Sequence, residues 1–176
     1  GGWPKADKSI CVFKLDSTDL TTKAGVLYGG SSADYPYSVV ASQDGIFVAG
    51  EFSSNYINFG AAGTLHKFSP GIGHARSAFV VRLAESDLAA QSAVRWGAPG
   101  DGDDSADQLA IDPTGGIFAA GVFSSESMTI GTTTLTNAGG FDIAVVKFSS
   151  DLATGIAAAS YGGSGNDRGD AEIEPN

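Results

Sequence analysis

The sequence has 176 residues, one-domain length, with 42 % hydrophobic residues for a core and only 17 % charged residues. Its net charge of −10 disfavours DNA or RNA as a partner, since a polyanion is repelled. A single cysteine, Cys11, excludes an intrachain disulfide and a cysteine metal cluster, and no apolar run approaches the ~20 residues of a membrane span.

Twenty-five glycines, with many Ser, Thr, Ala and Val, point to strands and tight turns. Residues 1–8 read as a loop, and the start at Gly1 rather than Met suggests processing or truncation. Residues 9–15 form an apolar strand, followed by a polar turn and a strand ending at Tyr28. A complete unit follows. Residues 37–42 are its first strand, Asp44-Gly45 its hairpin turn and 46–52 its second strand. A long loop over 53–77 leads to a third strand at 78–83 and a fourth ending at Trp96. The pattern returns with strands at 108–112, 117–123 and 143–148, and a fourth ending at Tyr161. Gly162-Gly163 opens another copy.

The repeat decides the architecture. Residues 45–54 (GIFVAGEFSS) return as 116–125 (GIFAAGVFSS) with eight of ten positions identical. Lys14, Arg82 and Lys147 recur in one phase, as do Tyr28, Trp96 and Tyr161. Asp19-Leu20, Asp87-Leu88 and Asp151-Leu152 mark one turn three times. Second and third strands apolar at nearly every residue must be covered on both faces. Radially stacked four-stranded sheets supply that cover. The fold class is therefore all-β, with β-propeller blades built as four-stranded antiparallel meanders. The chain holds about two and a half blades: 1–28 the C-terminal half of one, 29–96 and 97–161 complete ones, and 162–176 the first strand of a further one. A ring of 4–8 blades needs more chain, so one propeller domain is expected to continue beyond both ends. Its partners would be other blades of the same chain or a completing chain.

These strands, with Tyr-Gly-Gly, Asp-Gly, Phe-Val-Ala-Gly and Ala-Phe-Val-Val-Arg-Leu in order, resemble the SBBP-type β-propeller repeat family. The resemblance is closest over 28–54, 78–83 and 161–170. It implies a secreted or cell-surface scaffold or protein-interaction role, with no shared catalytic residues. The long loop at 55–77 and the expanded loop at 97–106 depart from the family pattern.

Strand alternation puts the long loops at one end of the sheets, and rigid scaffolds present function on such loops. Asp101, Asp103, Ser105 and Asp107 fall at alternate positions of a Gly-containing loop, spaced like the first part of a calcium loop. Calcium is the candidate cofactor; the competing reading is a turn in which carboxylates accept backbone N–H bonds. His66, Lys67, Phe68, His74 and Arg76 concentrate both histidines and two cations in an acidic protein. They form a candidate contact loop for a protein partner, against the alternative of a solvated insertion. Lys14, Arg82 and Lys147 read as structural charges paired with acids between blades. The repeated aromatics read as packing residues, and Cys11 as a small buried hydrophobe. No nucleophile stands beside either histidine, so no Ser-His-Asp site is read. The leading expectation is a non-enzymatic scaffold or interaction module. The alternative is a carbohydrate-binding module, calcium-assisted, with a glycan partner at the long-loop end.

Overall fold

The computed structural model describes residues 9–169. The expected loop at 1–8 and the end of the further copy, 170–176, lie outside them. The described chain is all-β, and its sheets are antiparallel throughout.

It opens with a two-stranded sheet, β1 (Ile10–Leu15) and β2 (Thr22–Tyr28). The middle sheet is a meander of β3 (Asp34–Ser42), β4 (Gly45–Phe52), β7 (Ser77–Leu83) and β8 (Ala90–Trp96). Between β4 and β7 lies a hairpin of β5 (Tyr56–Asn58) and β6 (Thr64–His66), joined by a short 3-10 turn at Gly60–Ala62. The last sheet repeats the plan with β9 (Gln108–Ile111), β10 (Ile117–Phe123), β13 (Asp142–Phe148) and β14 (Gly155–Tyr161). Its inserted hairpin is β11 (Ser127–Ile130) with β12 (Thr133–Thr136). The described residues close no barrel or ring.

The copies match in irregularities as well as in strands. A register shift falls at Lys14/Leu15, Arg82/Leu83 and Lys147/Phe148. Each is followed by a leucine in the left-handed region, Leu20, Leu88 and Leu152. A carboxylate holds each of these turns by accepting the N–H two residues on: Asp19 from Thr21, Asp87 from Ala89 and Asp151 from Ala153, all at 3.0 Å.

The middle sheet is buried on both faces, as its unbroken apolar strands require. Phe47, Ala49, Ala78 and Val80 pack with Ile117, Ala119, Val146 and Phe148 of the last sheet. Val48, Phe52, Phe79, Val81 and Leu83 pack with Ile10, Val12 and Val26 of the first. Two of the recurring aromatics join these seams. Trp96 stacks on Phe148 with ring centroids 6.0 Å apart. The Tyr28 hydroxyl donates to Leu88 O (3.0 Å) and accepts from Ala90 N (2.9 Å). Tyr161 is exposed.

Three expectations need correction. The stretch 53–77 is not one loop, and its counterpart in the last sheet carries the same inserted hairpin. Ile57 and Phe59, then Met128, Ile130 and Leu135, are buried from these hairpins into the two cores. Cys11 is exposed, because β1 covers only its alternate side chains. The recurring cations share no single partner. Lys14 reaches Glu85 of the next sheet (3.2 Å), Lys147 pairs with Asp112 of its own sheet (2.5 Å), and Arg82 donates to the Asp44 carbonyl (2.7 Å).

At one position of the second strand both copies leave no room for a side chain. A Cβ on Gly50 would lie 1.9 Å from Tyr35 O, and one on the equivalent Gly121 2.0 Å from Ser105 O. Gly50→Ala and Gly121→Ala are each expected to cost ~3 kcal/mol by overpacking. Gly73, with open space around it, should accept alanine within about 0.5 kcal/mol. Denaturant unfolding of the three variants checks this, and equal stability of all three would contradict the close approach.

Candidate functional site

Each four-stranded sheet is tied to the connection before it by a buried carboxylate. Asp34 is 1 % exposed. It accepts from Ser54 Oγ (2.9 Å), Ser54 N (3.2 Å) and Gly30 N (2.9 Å). Asp104, also 1 % exposed, accepts from Ser125 Oγ (2.7 Å), Ser124 N (3.2 Å) and Ser125 N (3.4 Å). In the next copy Asp167 accepts from Gly163 N at 2.8 Å, as Asp34 does from Gly30. The Ser-Ser pair that ends each second strand therefore serves the scaffold.

This clamp explains the alternating residues 101–107. Ser105 N donates to Val122 O (2.9 Å) and Asp107 N to Ala120 O (2.8 Å), while Asp103 N donates to Ser124 Oγ (2.8 Å). Residues 103–107 thus run extended beside β10, continuous with β9. Side chains of an extended segment alternate between faces. Asp104 and Ala106 turn into the protein, whereas Asp103, Ser105 and Asp107 line a pocket. The spacing follows strand period rather than the wrap of a calcium loop. Asp101 is exposed and stands apart from the pocket lining. Among the described residues no group of three or more His, Cys, Asp or Glu is placed to hold a metal ion.

The pocket has a volume of about 400 Å³. Tyr37, Glu51 and Arg76 of the middle sheet form one part of its lining. Asp103, Ser105 and Asp107 of the connection form another, and Val122, Phe141 and Arg168 complete it. Tyr37 sits where β3 slips register against β4, between Pro36 and Ser38. Such a bulge re-aims a side chain, and here the phenol meets Glu51. Glu51 is 4 % exposed in β4. Arg76 Nη1 donates to Glu51 Oε1 at 2.5 Å, and Arg76 Nε lies 3.9 Å from Asp103 Oδ1. Burial pushes the Glu51 carboxyl above its ordinary range, against the Tyr37 hydrogen bond and the Arg76 charge, which pull it down. Burial, then Glu51 as acceptor, pushes the Tyr37 phenol well up.

The two stretches singled out in the sequence meet here. Besides the Arg76–Asp103 pair, Gly100 N donates to Ser69 Oγ (2.7 Å) and Arg76 N to Gly102 O (3.3 Å). The contact-loop residues separate in role. Lys67 is buried, and its ammonium donates to Ser53 O (3.1 Å) and Ile72 O (2.6 Å). It holds the connection together and offers nothing to a partner, which corrects its place in the expected contact set. Phe68 lies under the Arg95 guanidinium, 3.6 Å from its ring centroid. His66 and His74 are exposed, His66 beside the Tyr56 ring. Only Arg76 of this set enters the pocket.

Glu51 and Tyr37 escaped the sequence reading, yet Glu51 left a signal. It occupies the position held by Val122 in the other copy, inside an otherwise buried apolar strand. Arg76 likewise stands where the other copy has Phe141, since 141 − 76 equals the 147 − 82 offset of the recurring cations. Two mutually paired charges thus replace two apolar residues of the repeat.

No protein-family model matches the chain, and no curated protein matches it.

The Asp104 carboxyl, pushed up to about 6 by burial against its serine hydrogen bonds, gives a pH test. A carboxyl raised in the folded state favours folding while protonated, and that contribution is lost as pH rises through about 4 to 6. The difference corresponds to about 3 kcal/mol. In urea unfolding between about pH 4 and pH 7, the stability of the parent should fall more steeply with pH than that of Asp104→Asn, which lacks this group. Parallel stability curves would contradict it.

Proposed function

We propose that the chain is a β-propeller segment of a secreted or cell-surface protein, acting as a non-catalytic scaffold that recognises a partner at the long-connection end of its sheets. The observation that carries this is a division of labour between the copies. Strands, turns and Asp–Ser clamps recur position by position. Connections 67–76 and 97–107 differ from their counterparts and are knit to each other through Ser69–Gly100 and Arg76–Asp103. Connections freed from the repeat on a rigid base are where recognition is built. The resemblance to SBBP-type repeats supports both the propeller and the location.

Photo-cross-linking amino acids at His74 and Asp101, and at Leu20 and Glu85 near the short turns, test the reading in the protein's native extract. Adducts should concentrate several-fold at His74 and Asp101. Equal or reversed yields would overturn it, as would turnover of a polysaccharide or peptide by the purified protein.

A further inference from the structure

We propose that the pocket closed by Tyr37, Glu51, Arg76, Asp103 and Asp107 is a binding site for a neutral polyhydroxylated ligand, a single uncharged sugar residue. The proposal rests on reading this end of the sheets as the recognition surface, and names what one part of it takes.

Size comes first. A volume of about 400 Å³ falls within the roughly 300–1,000 Å³ of small-molecule sites. Charge comes next. Three carboxylates, Glu51, Asp103 and Asp107, share the lining with two guanidiniums, Arg76 and Arg168. An anionic ligand would meet the carboxylates within a protein already at −10. A cationic ligand would meet both guanidiniums. An apolar ligand would strip water from charged groups without replacing their hydrogen bonds. A hydroxyl both donates and accepts, so several hydroxyls on one ring can serve carboxylates and guanidiniums together with no net charge.

Shape and rigidity agree. Tyr37 is half exposed and stacks against Tyr35, with ring centroids 6.4 Å apart and planes 7° from parallel. Its ring offers a flat surface to the C–H face of a pyranose. The Arg168 guanidinium rests over the Phe141 ring at 5.4 Å from the centroid. Glu51 orders both the Tyr37 hydroxyl and the Arg76 guanidinium before any ligand arrives, which lowers the ordering cost of binding. Asp103 and Asp107, partly exposed on one face of the extended segment, are the acceptors left to a ligand. The other copy does not repeat Glu51 and Arg76, so the site is particular to this junction.

The test is amide chemical-shift mapping on the whole chain with methyl glycosides of glucose, galactose, mannose and N-acetylglucosamine as probes. Glucosamine and N-acetylneuraminic acid serve as charged counterparts. At least one neutral glycoside should bind with Kd on the order of 1 mM or tighter, shifting the amides of Tyr37, Arg76, Asp103 and Asp107. Its charged counterparts should bind at least tenfold more weakly. Asp107→Asn, at a position outside the core, should weaken binding at least fivefold with the melting temperature nearly unchanged, and Tyr37→Ala should weaken it at least fivefold as well. Absence of shifts with all four glycosides, tighter binding of a charged sugar, or variants that bind like the parent would each overturn the proposal. The cross-link ratio at His74 and Asp101 is read independently, so failure of the sugar site and failure of the recognition surface are separable.

Discussion

A buried aspartate that accepts from the serine ending a second strand is the constraint from which this structure is assembled. Asp34 with Ser54, and Asp104 with Ser125, each fasten the connection arriving from the preceding sheet to the first hairpin of the next. A carboxylate removed from water needs every available donor, and these receive backbone N–H groups as well as the hydroxyl. The geometry of the clamp fixes where β3 and the extended segment before β9 begin. That placement brings their backbones onto Gly50 and Gly121, where no side chain fits. Hydrophobic burial then holds the sheets face to face, the middle one between two neighbours.

Much of this was legible in the residues. The recurrence of 45–54 at 116–125 located the second strands, and unbroken apolar character announced burial on both faces. The recurring Asp-Leu marked a turn whose carboxylate and left-handed leucine are the same in three places. The inserted hairpins were harder to read because their strands are three or four residues long. Their alternation of Ile57 with Phe59, and of Met128 with Ile130, was present but short. The spacing of Asp101, Asp103, Ser105 and Asp107 can be read two ways for a physical reason. Period two is shared by a metal loop's alternate ligands and by any extended strand, and only the pairing with β10 tells them apart.

The pocket was illegible for the opposite reason: its members are scattered through the chain, and no local pattern joins them. Tyr37 enters through a bulge, Glu51 from a buried strand and Arg76 from a connection. What betrays them is departure from the repeat. A scaffold copied for packing alone would keep an apolar pair, as Val122 and Phe141 do. A buried ion pair seldom stabilises more than the apolar residues it displaces, although removing one partner alone is costly. A charge pair at such a position is therefore poorly explained by stability alone.

The central claim is that Glu51 and Arg76 are an addition to the scaffold rather than part of what holds it. Denaturant unfolding of Arg76→Ala beside the double variant Glu51→Val/Arg76→Phe, which installs the residues of the other copy, tests this most directly. The single variant strands the buried Glu51 carboxylate and should lose about 3 kcal/mol, while the double variant should return to within about 1 kcal/mol of the parent. A double variant as unstable as the single one would contradict the claim and make the pair a structural element of the sheet.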